Sequence, residues 1–190
     1  MLVTMSGMRE WQGMRIPSPG TWRIHPPGSE VALVASYLRV ASLRMRFRRF
    51  DGLIRVTDEP EQTSLEATIQ AKSIDTGIRV LDRILRAPRI LDVERFPALG
   101  FTSTEIRLAG GSGLRMSGDL TIRDVTRPVT LQVEYRGGTT DSDGRARARF
   151  WAWAAIAHEE FLTWKQLLSV RSWVIGRRVR IELDIEALRE

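Results

Sequence analysis

Residues 116–135, MSGDLTIRDVTRPVTLQVEY, alternate apolar and polar side chains on both sides of a turn. The apolar residues that share one face are Met116, Leu120, Ile122, Val129, Leu131, Val133 and Tyr135. A period of two residues predicts half-buried strands, and the polar stretch 124–128 predicts the turn between them. Strands joined by a short turn pair antiparallel. This stretch therefore predicts an antiparallel hairpin with one face in the core.

The same alternation recurs on both sides of this hairpin, over residues 65–72 and 179–185. Between Asp75 and Pro97 the period changes to that of a helix, with apolar residues at Ile78, Leu81, Ile84 and Leu85. Asp75 or Thr76 can cap the start of this helix, and Pro88 can end it. One helix beside about eight amphipathic strands predicts an all-β domain, an antiparallel barrel with a helix over one end. We assign this domain to residues 20–190.

The residue types exclude several classes of function. The 190 residues include no cysteine, which excludes disulfides, thiolate zinc sites and a cysteine nucleophile. The two histidines, His25 and His158, lie far apart in sequence, so a multi-histidine metal site is not expected. No apolar run approaches the ~20 residues that span a bilayer. We expect a soluble protein with no metal and no catalytic centre.

Arginine dominates the charge of the chain. There are 29 basic and 23 acidic residues, a net charge of +6, and only Lys72 and Lys165 are lysines. Because arginine binds phosphates and carboxylates with two parallel hydrogen bonds, nucleic acid and anionic lipid are candidate partners. A solvated surface without a dedicated anionic partner is the simpler interpretation.

Residues 1–19 precede the predicted barrel as an N-terminal arm. They contain no apolar run of the ~7–15 residues that a secretory signal requires, so the expected location is the cytoplasm. Trp11 and Ile16 offer the arm a way to dock on the domain. We predict instead that the arm is flexible and loosely held.

The strand RARARFWAWAAI, residues 145–156, has unusual side chains on both faces. One face carries Ala146, Ala148, Ala152 and Ala154 beside Phe150 and Ile156. Small residues facing into a barrel leave space for a ligand, or else they let the covering helix approach closely. Both interpretations stay open.

The opposite face of this strand carries Trp151 and Trp153 beside three arginines, which places both indoles on the exterior. Adjacent exposed tryptophans are uncommon on a monomer, and tryptophan with arginine is enriched at interface centres. We predict a homodimer built on Trp151 and Trp153. The alternatives are that the N-terminal arm covers them through Trp11, or that they make transient contact with a membrane surface.

From Thr21 to about Ala187 the chain resembles the YceI-like family of lipocalin-type isoprenoid-binding proteins. The strongest match is GDLTIRDVTRPVTLQVEY, residues 118–135. Further matches are RFRRFDGLIRV at 46–56, AKSIDTG at 71–77, DVERFPALGFTST at 92–104 and VRIELDIEAL at 179–188. The resemblance implies an extended eight-stranded antiparallel lipocalin-like barrel with a long apolar pocket. It also implies a polyprenyl chain or an isoprenoid quinone as the ligand.

This chain departs from the family pattern where the family often has histidine. One such position is Tyr37, and another lies within 81–87, LDRILRA. Both changes imply a less polar pocket.

We therefore expect non-enzymatic binding, storage or transport of a long apolar amphiphile, with no cofactor other than such a lipid ligand. The residues expected to line the pocket are Leu33, Ala35, Tyr37, Phe47, Phe50, Ile69, Ile84, Leu85, Phe101, Leu120, Ile122, Val133, Tyr135, Ala148 and Phe150, with Phe161 near the mouth. The alternative is a stress-response or interaction module that binds a partner or nucleic acid through a basic exterior. Its arginines would be Arg39, Arg44, Arg46, Arg48 and Arg49.

Overall fold

A computed structural model of the chain describes residues 7–11, 14–37, 41–109, 113–141, 143–157 and 178–190. These residues form mostly β-strands and one α-helix. The strands are β1 Met8–Trp11, β2 Met14–Pro17, β3 Gly20–Ile24, β4 Glu30–Tyr37, β5 Ala41–Phe47, β6 Phe50–Val56, β7 Ser64–Gln70, β8 Ile74–Asp75, β9 Ala98–Leu108, β10 Gly113–Ile122, β11 Val125–Thr140, β12 Ala146–Ala157 and β13 Arg178–Arg189. The helix, α1, spans Arg79–Arg86.

Eight antiparallel strands close into a barrel in the order β3, β6, β7, β9, β10, β11, β12 and β13, and β13 returns to β3. The fold class expected from the sequence is thus confirmed. Strand β13 completes the ring because it pairs along its length with β12 and, over Ala187–Arg189, with β3. Its first half pairs with β4, to which β5 and β8 are added.

The hairpin of residues 116–135 forms as strands β10 and β11, with Ile122 paired to Val125. The turn is therefore shorter than predicted, since β11 begins at Val125 and continues through Pro128. Proline cannot donate a ladder hydrogen bond, so it is tolerated where a strand lacks a second neighbour. Among the described residues β11 pairs with β12 only from Gln132 onward, and Pro128 therefore needs to satisfy one neighbouring strand alone.

The helix is shorter than the predicted stretch from Asp75 to Pro97, and its predicted apolar face is only partly buried, through Leu81 and Leu85. Ile78 and Ile84 are 55% and 45% exposed, whereas Leu85 and Asp82 are buried. The Asp82 carboxylate accepts hydrogen bonds from the backbone N–H of Thr76 at 2.8 Å and from its hydroxyl at 2.7 Å. This polar contact turns the Asp82 side of the helix inward and leaves Ile84 outside.

The apolar interior consists of two clusters of side chains. The larger cluster draws residues from most strands of the barrel and from the segment around α1, including Leu85, Ile90 and Val93. The smaller cluster surrounds the fully buried Trp22 and contains Ala146 and Ala148. The Trp22 indole N–H donates to the carbonyl of Ser18 at 3.0 Å, which fixes the smaller cluster to the start of the barrel.

Candidate functional site

The barrel contains a cavity of about 340 Å³. Every strand of the ring contributes apolar side chains to its wall, as do β4 and β5. Few of the lining residues carry polar side-chain groups, namely Trp11, Asp51, Thr63 and Tyr135. The site can therefore accept a hydrocarbon chain without leaving many polar groups unpaired.

Much of the wall coincides with the lining expected from the sequence. The residues from that set which line the cavity are Leu33, Phe47, Phe50, Ile69, Phe101, Leu120, Ile122, Val133, Tyr135 and Phe150. They lie on eight different strands, six of the ring together with β4 and β5, and the folded sheet brings them together. Their contact with a ligand stays a prediction.

Four of the expected lining residues lie away from the cavity wall. Ala35 and Ala148 are completely buried among neighbouring side chains, and Leu85 packs in the core beneath α1. Ile84 faces the exterior because the opposite side of its helix is the buried one. The side chains of Tyr37 and Phe161 lie outside what the structure describes.

The alanine-rich face of β12 is only partly open. Ala152 lines the cavity, but Ala146 and Ala148 pack against Trp22 in the smaller cluster. Gly7 lies so close to Ala146 that a side chain on Gly7 would collide with it. The small residues at this end of β12 therefore let the N-terminal segment and Trp22 approach, instead of leaving space for a ligand.

The N-terminal segment supplies wall residues that were not expected from the sequence. Strands β1 and β2 pair antiparallel as a hairpin, with Met8 opposite Pro17 and Trp11 opposite Met14. From this hairpin, Trp11, Ile16 and Pro17 line the cavity. The described part of the arm therefore packs on the barrel, and the flexibility expected for residues 1–19 stays a prediction. In the sequence, the apolar residues Trp11 and Ile16 were the only indication that this segment packs on the barrel.

The arginines of the expected basic patch are largely paired with carboxylates. Arg44 donates hydrogen bonds to Glu30 and, at 2.6 Å, to Glu182, and Arg46 donates to Glu30 at 2.7 Å. The hydrogen bond from Arg44 lowers the pKa of the Glu30 carboxyl below its ordinary value of 4.5.

Arg48 is likewise paired, with Asp75 at 2.8 Å, while Arg39 lies outside the described residues. The carboxylates that pair with these arginines neutralise much of the positive charge that a phosphate would meet on this face. A nucleic-acid interface on this face is accordingly less well supported than the interior cavity.

Trp151 and Trp153 lie half-buried on the outer face of β12, as the alternation predicts. The Arg180 guanidinium stacks over Trp153 at 4.8 Å and over Trp151 at 5.8 Å, measured to the ring centroids. Arg136 stacks over Trp151 at 5.2 Å. These cation–π contacts cover part of both indoles within one chain. Trp11 lines the cavity and does not provide the cover that was considered for it.

Neither a metal centre nor a membrane-spanning helix emerges from the described residues. No group of three or more histidine, aspartate or glutamate side chains in that part of the chain could hold a metal ion. None of the helices described is long and apolar enough to cross a membrane.

The chain forms a closed antiparallel barrel with an apolar cavity inside its sheet. The sequence of this barrel matches a family model described as the YceI-like domain over residues 22–187. The chain belongs to the YceI-like family, and the resemblance drawn from its motifs is confirmed. Its N-terminal hairpin precedes the matched range.

Curated relatives agree with this assignment. The protein YceI of Salmonella arizonae is 35% identical over 116 residues, which is 60% of each chain, and that of Salmonella newport matches equally. The present chain thus matches about 60% of the length of these relatives.

Solved structures share the fold at low sequence identity. BcnA of Burkholderia cenocepacia superposes with a TM-score of 0.74 at 20% identity, covering 86% of this chain and 98% of BcnA. A YceI protein of Campylobacter jejuni gives 0.71 at 20% identity, with 82% and 90% covered. A polyisoprenoid-binding domain of Saccharophagus degradans, implicated in plant cell wall breakdown, gives 0.67 at 14% identity, with 89% and 98% covered.

Proposed function

We propose that this protein binds a long apolar amphiphile, a polyprenyl chain or an isoprenoid quinone, inside its barrel and stores or carries it without chemical change. The observation that carries the proposal is the cavity inside the barrel with its almost wholly apolar wall. Membership of the YceI-like family supports it, as does the structural likeness to a polyisoprenoid-binding domain.

The binding energy is supplied by burial of hydrocarbon. Each methylene group moved from water into the cavity contributes about 0.8 kcal/mol, so burying about ten carbons supplies about 8 kcal/mol before the cost of association is subtracted. A cavity of about 340 Å³ falls within the range of small-ligand pockets. No salt bridge to a head group is needed.

The first test is direct. Protein purified under native conditions is extracted with solvent, and the extract is analysed by mass spectrometry. We expect a polyprenyl lipid or a quinone in stoichiometric amount. An empty protein that also fails to take up prenyl alcohols or quinones in a fluorescence titration refutes the proposal.

A matched pair of variants locates the ligand. Ala67 lies on β7 and lines the cavity, whereas the next residue, Thr68, is exposed on the outer face of the same strand. Ala67→Phe fills part of the cavity and should abolish uptake, while Thr68→Phe should leave it unchanged. Equal affinity in both variants contradicts binding inside the barrel.

We also propose a homodimer that uses Trp151 and Trp153, and a cytoplasmic location. Support for the dimer comes from the position of both half-buried indoles on the outer face of β12. Light scattering on the double variant Trp151→Ser and Trp153→Ser should show loss of the dimer with the barrel still folded. A wild-type monomer at micromolar concentration refutes the interface. If the wild type binds anionic vesicles and the double variant does not, the indoles contact a membrane surface instead.

A further inference from the structure

The N-terminal hairpin, β1 and β2, packs on the end of the barrel where β6 and β11 finish and β12 begins, and it contributes to the cavity wall. Trp11, Ile16 and Pro17 face the cavity from the hairpin. Val56 and Pro60, from the end of β6 and the connection that follows it, line the cavity as well. The whole hairpin lies before residue 22, where the match to the family model begins.

Several contacts fasten the hairpin to the connection between β6 and β7. The Arg9 guanidinium donates to the carbonyl of Thr57 at 2.8 Å and to that of Asp58 at 2.6 Å. It also lies 3.6 Å from the Asp58 carboxylate. Two carbonyl acceptors for one guanidinium hold Arg9, and with it Trp11 two residues later, at a defined position.

The other side of the hairpin is fastened to β11 and β12. The Tyr135 hydroxyl donates to the Met8 sulfur at 3.0 Å, and Met8 occupies the space that a side chain on Gly138 would need. Gly7 lies against Ala146, where only a glycine fits. The backbone N–H of Ser18 donates to the Gly7 carbonyl at 2.9 Å, which closes the segment on itself.

We propose that this hairpin is the end wall of the binding site and sets the greatest chain length that the cavity accepts, an inference that rests on the proposed function. A hydrocarbon chain lying in the barrel meets Trp11 and Ile16 at this end. A smaller side chain at either position leaves space for more of the hydrocarbon ligand. A larger side chain removes that space. Trp11 and Ile16 are then residues that determine specificity for length.

The experiment measures the affinity of the full-length protein for a series of linear prenyl alcohols that differ by one isoprene unit. The wild type should gain affinity with each unit up to a limit and then gain no more. Trp11→Ala should move that limit to longer alcohols, with a gain of roughly fourfold for each methylene group newly buried. Ile16→Phe should move the limit to shorter alcohols. Thr68→Phe, on the exposed outer face of β7, serves as the control and should keep the wild-type limit.

The outcomes separate the two proposals. A wild type that binds none of the alcohols refutes the proposed function and the end wall together. A wild type that binds, with the same limit in Trp11→Ala and Ile16→Phe, refutes the end wall alone. Thermal unfolding of each variant shows whether the barrel is intact. If one variant fails to fold, the other still decides the question. A shift of the length limit in the folded variant supports the end wall, and an unchanged limit overturns it.

Discussion

Replacement of Gly118 by alanine should destabilise the barrel strongly, although it adds only one methyl group. Gly118 lies on β10 where the register with β9 shifts between Ser117 and Gly118. A methyl group there would lie 2.5 Å from the carbonyl oxygen of Thr102 and 2.5 Å from the ring of Phe101. The Phe101 ring has the cavity beside it and can move, but the Thr102 carbonyl belongs to the paired backbone of β9 and cannot.

The magnitude follows from these two contacts. Overpacking that forces backbone shifts costs about 1–3 kcal/mol, and we expect the upper half of this range because one of the obstructing atoms is main chain. For a chain of this size each kcal/mol lowers Tm by roughly 2–4 °C, so the expected loss is about 4–12 °C. Circular dichroism during a thermal scan measures it.

Gly100 provides the matched control. It lies on β9, pairs with Thr121 of β10, and has no atom within 4 Å of the position a methyl group would take. Gly100→Ala should therefore be neutral, or stabilising by about 0.4–1 kcal/mol through a less flexible unfolded chain. Equal Tm values for Gly118→Ala and Gly100→Ala would refute the reasoning from the close contact at Gly118.

Two further predictions concern polar contacts outside the cavity. Asp82→Ala should lower the free energy of unfolding by about 1–3 kcal/mol in urea titrations, because it removes both hydrogen bonds to Thr76 at the start of α1, and Asp82→Asn should lose less. Glu30 has a lowered pKa in the folded state, chiefly through Arg44, so its stabilising contribution is present above pH 4.5 and is lost as the pH falls through its lower folded value. The difference in unfolding free energy between the wild type and Glu30→Gln should therefore shrink in acid, and a difference that is constant with pH would contradict this assignment.

The architecture could be predicted because alternation is a local property that survives in each strand separately. In β7 the apolar residues Leu65, Ala67 and Ile69 occupy one face, and all three line the cavity. Alternation reveals which face is inward, but it does not reveal what fills the interior. Ala67 borders the cavity whereas Ala148 is buried against other side chains, although both are alanines on inward faces.

The parts that sequence reasoning missed depend on contacts between distant segments. The hairpin of β1 and β2 is held by Arg9 at residues 57 and 58 and by Met8 at Tyr135, and neither pairing leaves a trace in the spacing of residues 1–19. The helix face was assigned from apolar spacing alone. That spacing identified Leu81 and Leu85 but missed the buried carboxylate of Asp82, to which Thr76 supplies the two hydrogen bonds that burial requires.

Closure of the ring through β13 has a consequence for biosynthesis. Ala187 pairs with Ile24, and Val179 pairs with Ile156, so the two margins of the sheet meet only after residues 178–189 have left the ribosome. Until then β3 and β12 present unpaired backbone groups, which are the templates for association between nascent chains. The long sequence separation of the closing pairs also predicts slow folding. The nascent barrel therefore exposes two unpaired strand edges until β13 joins it.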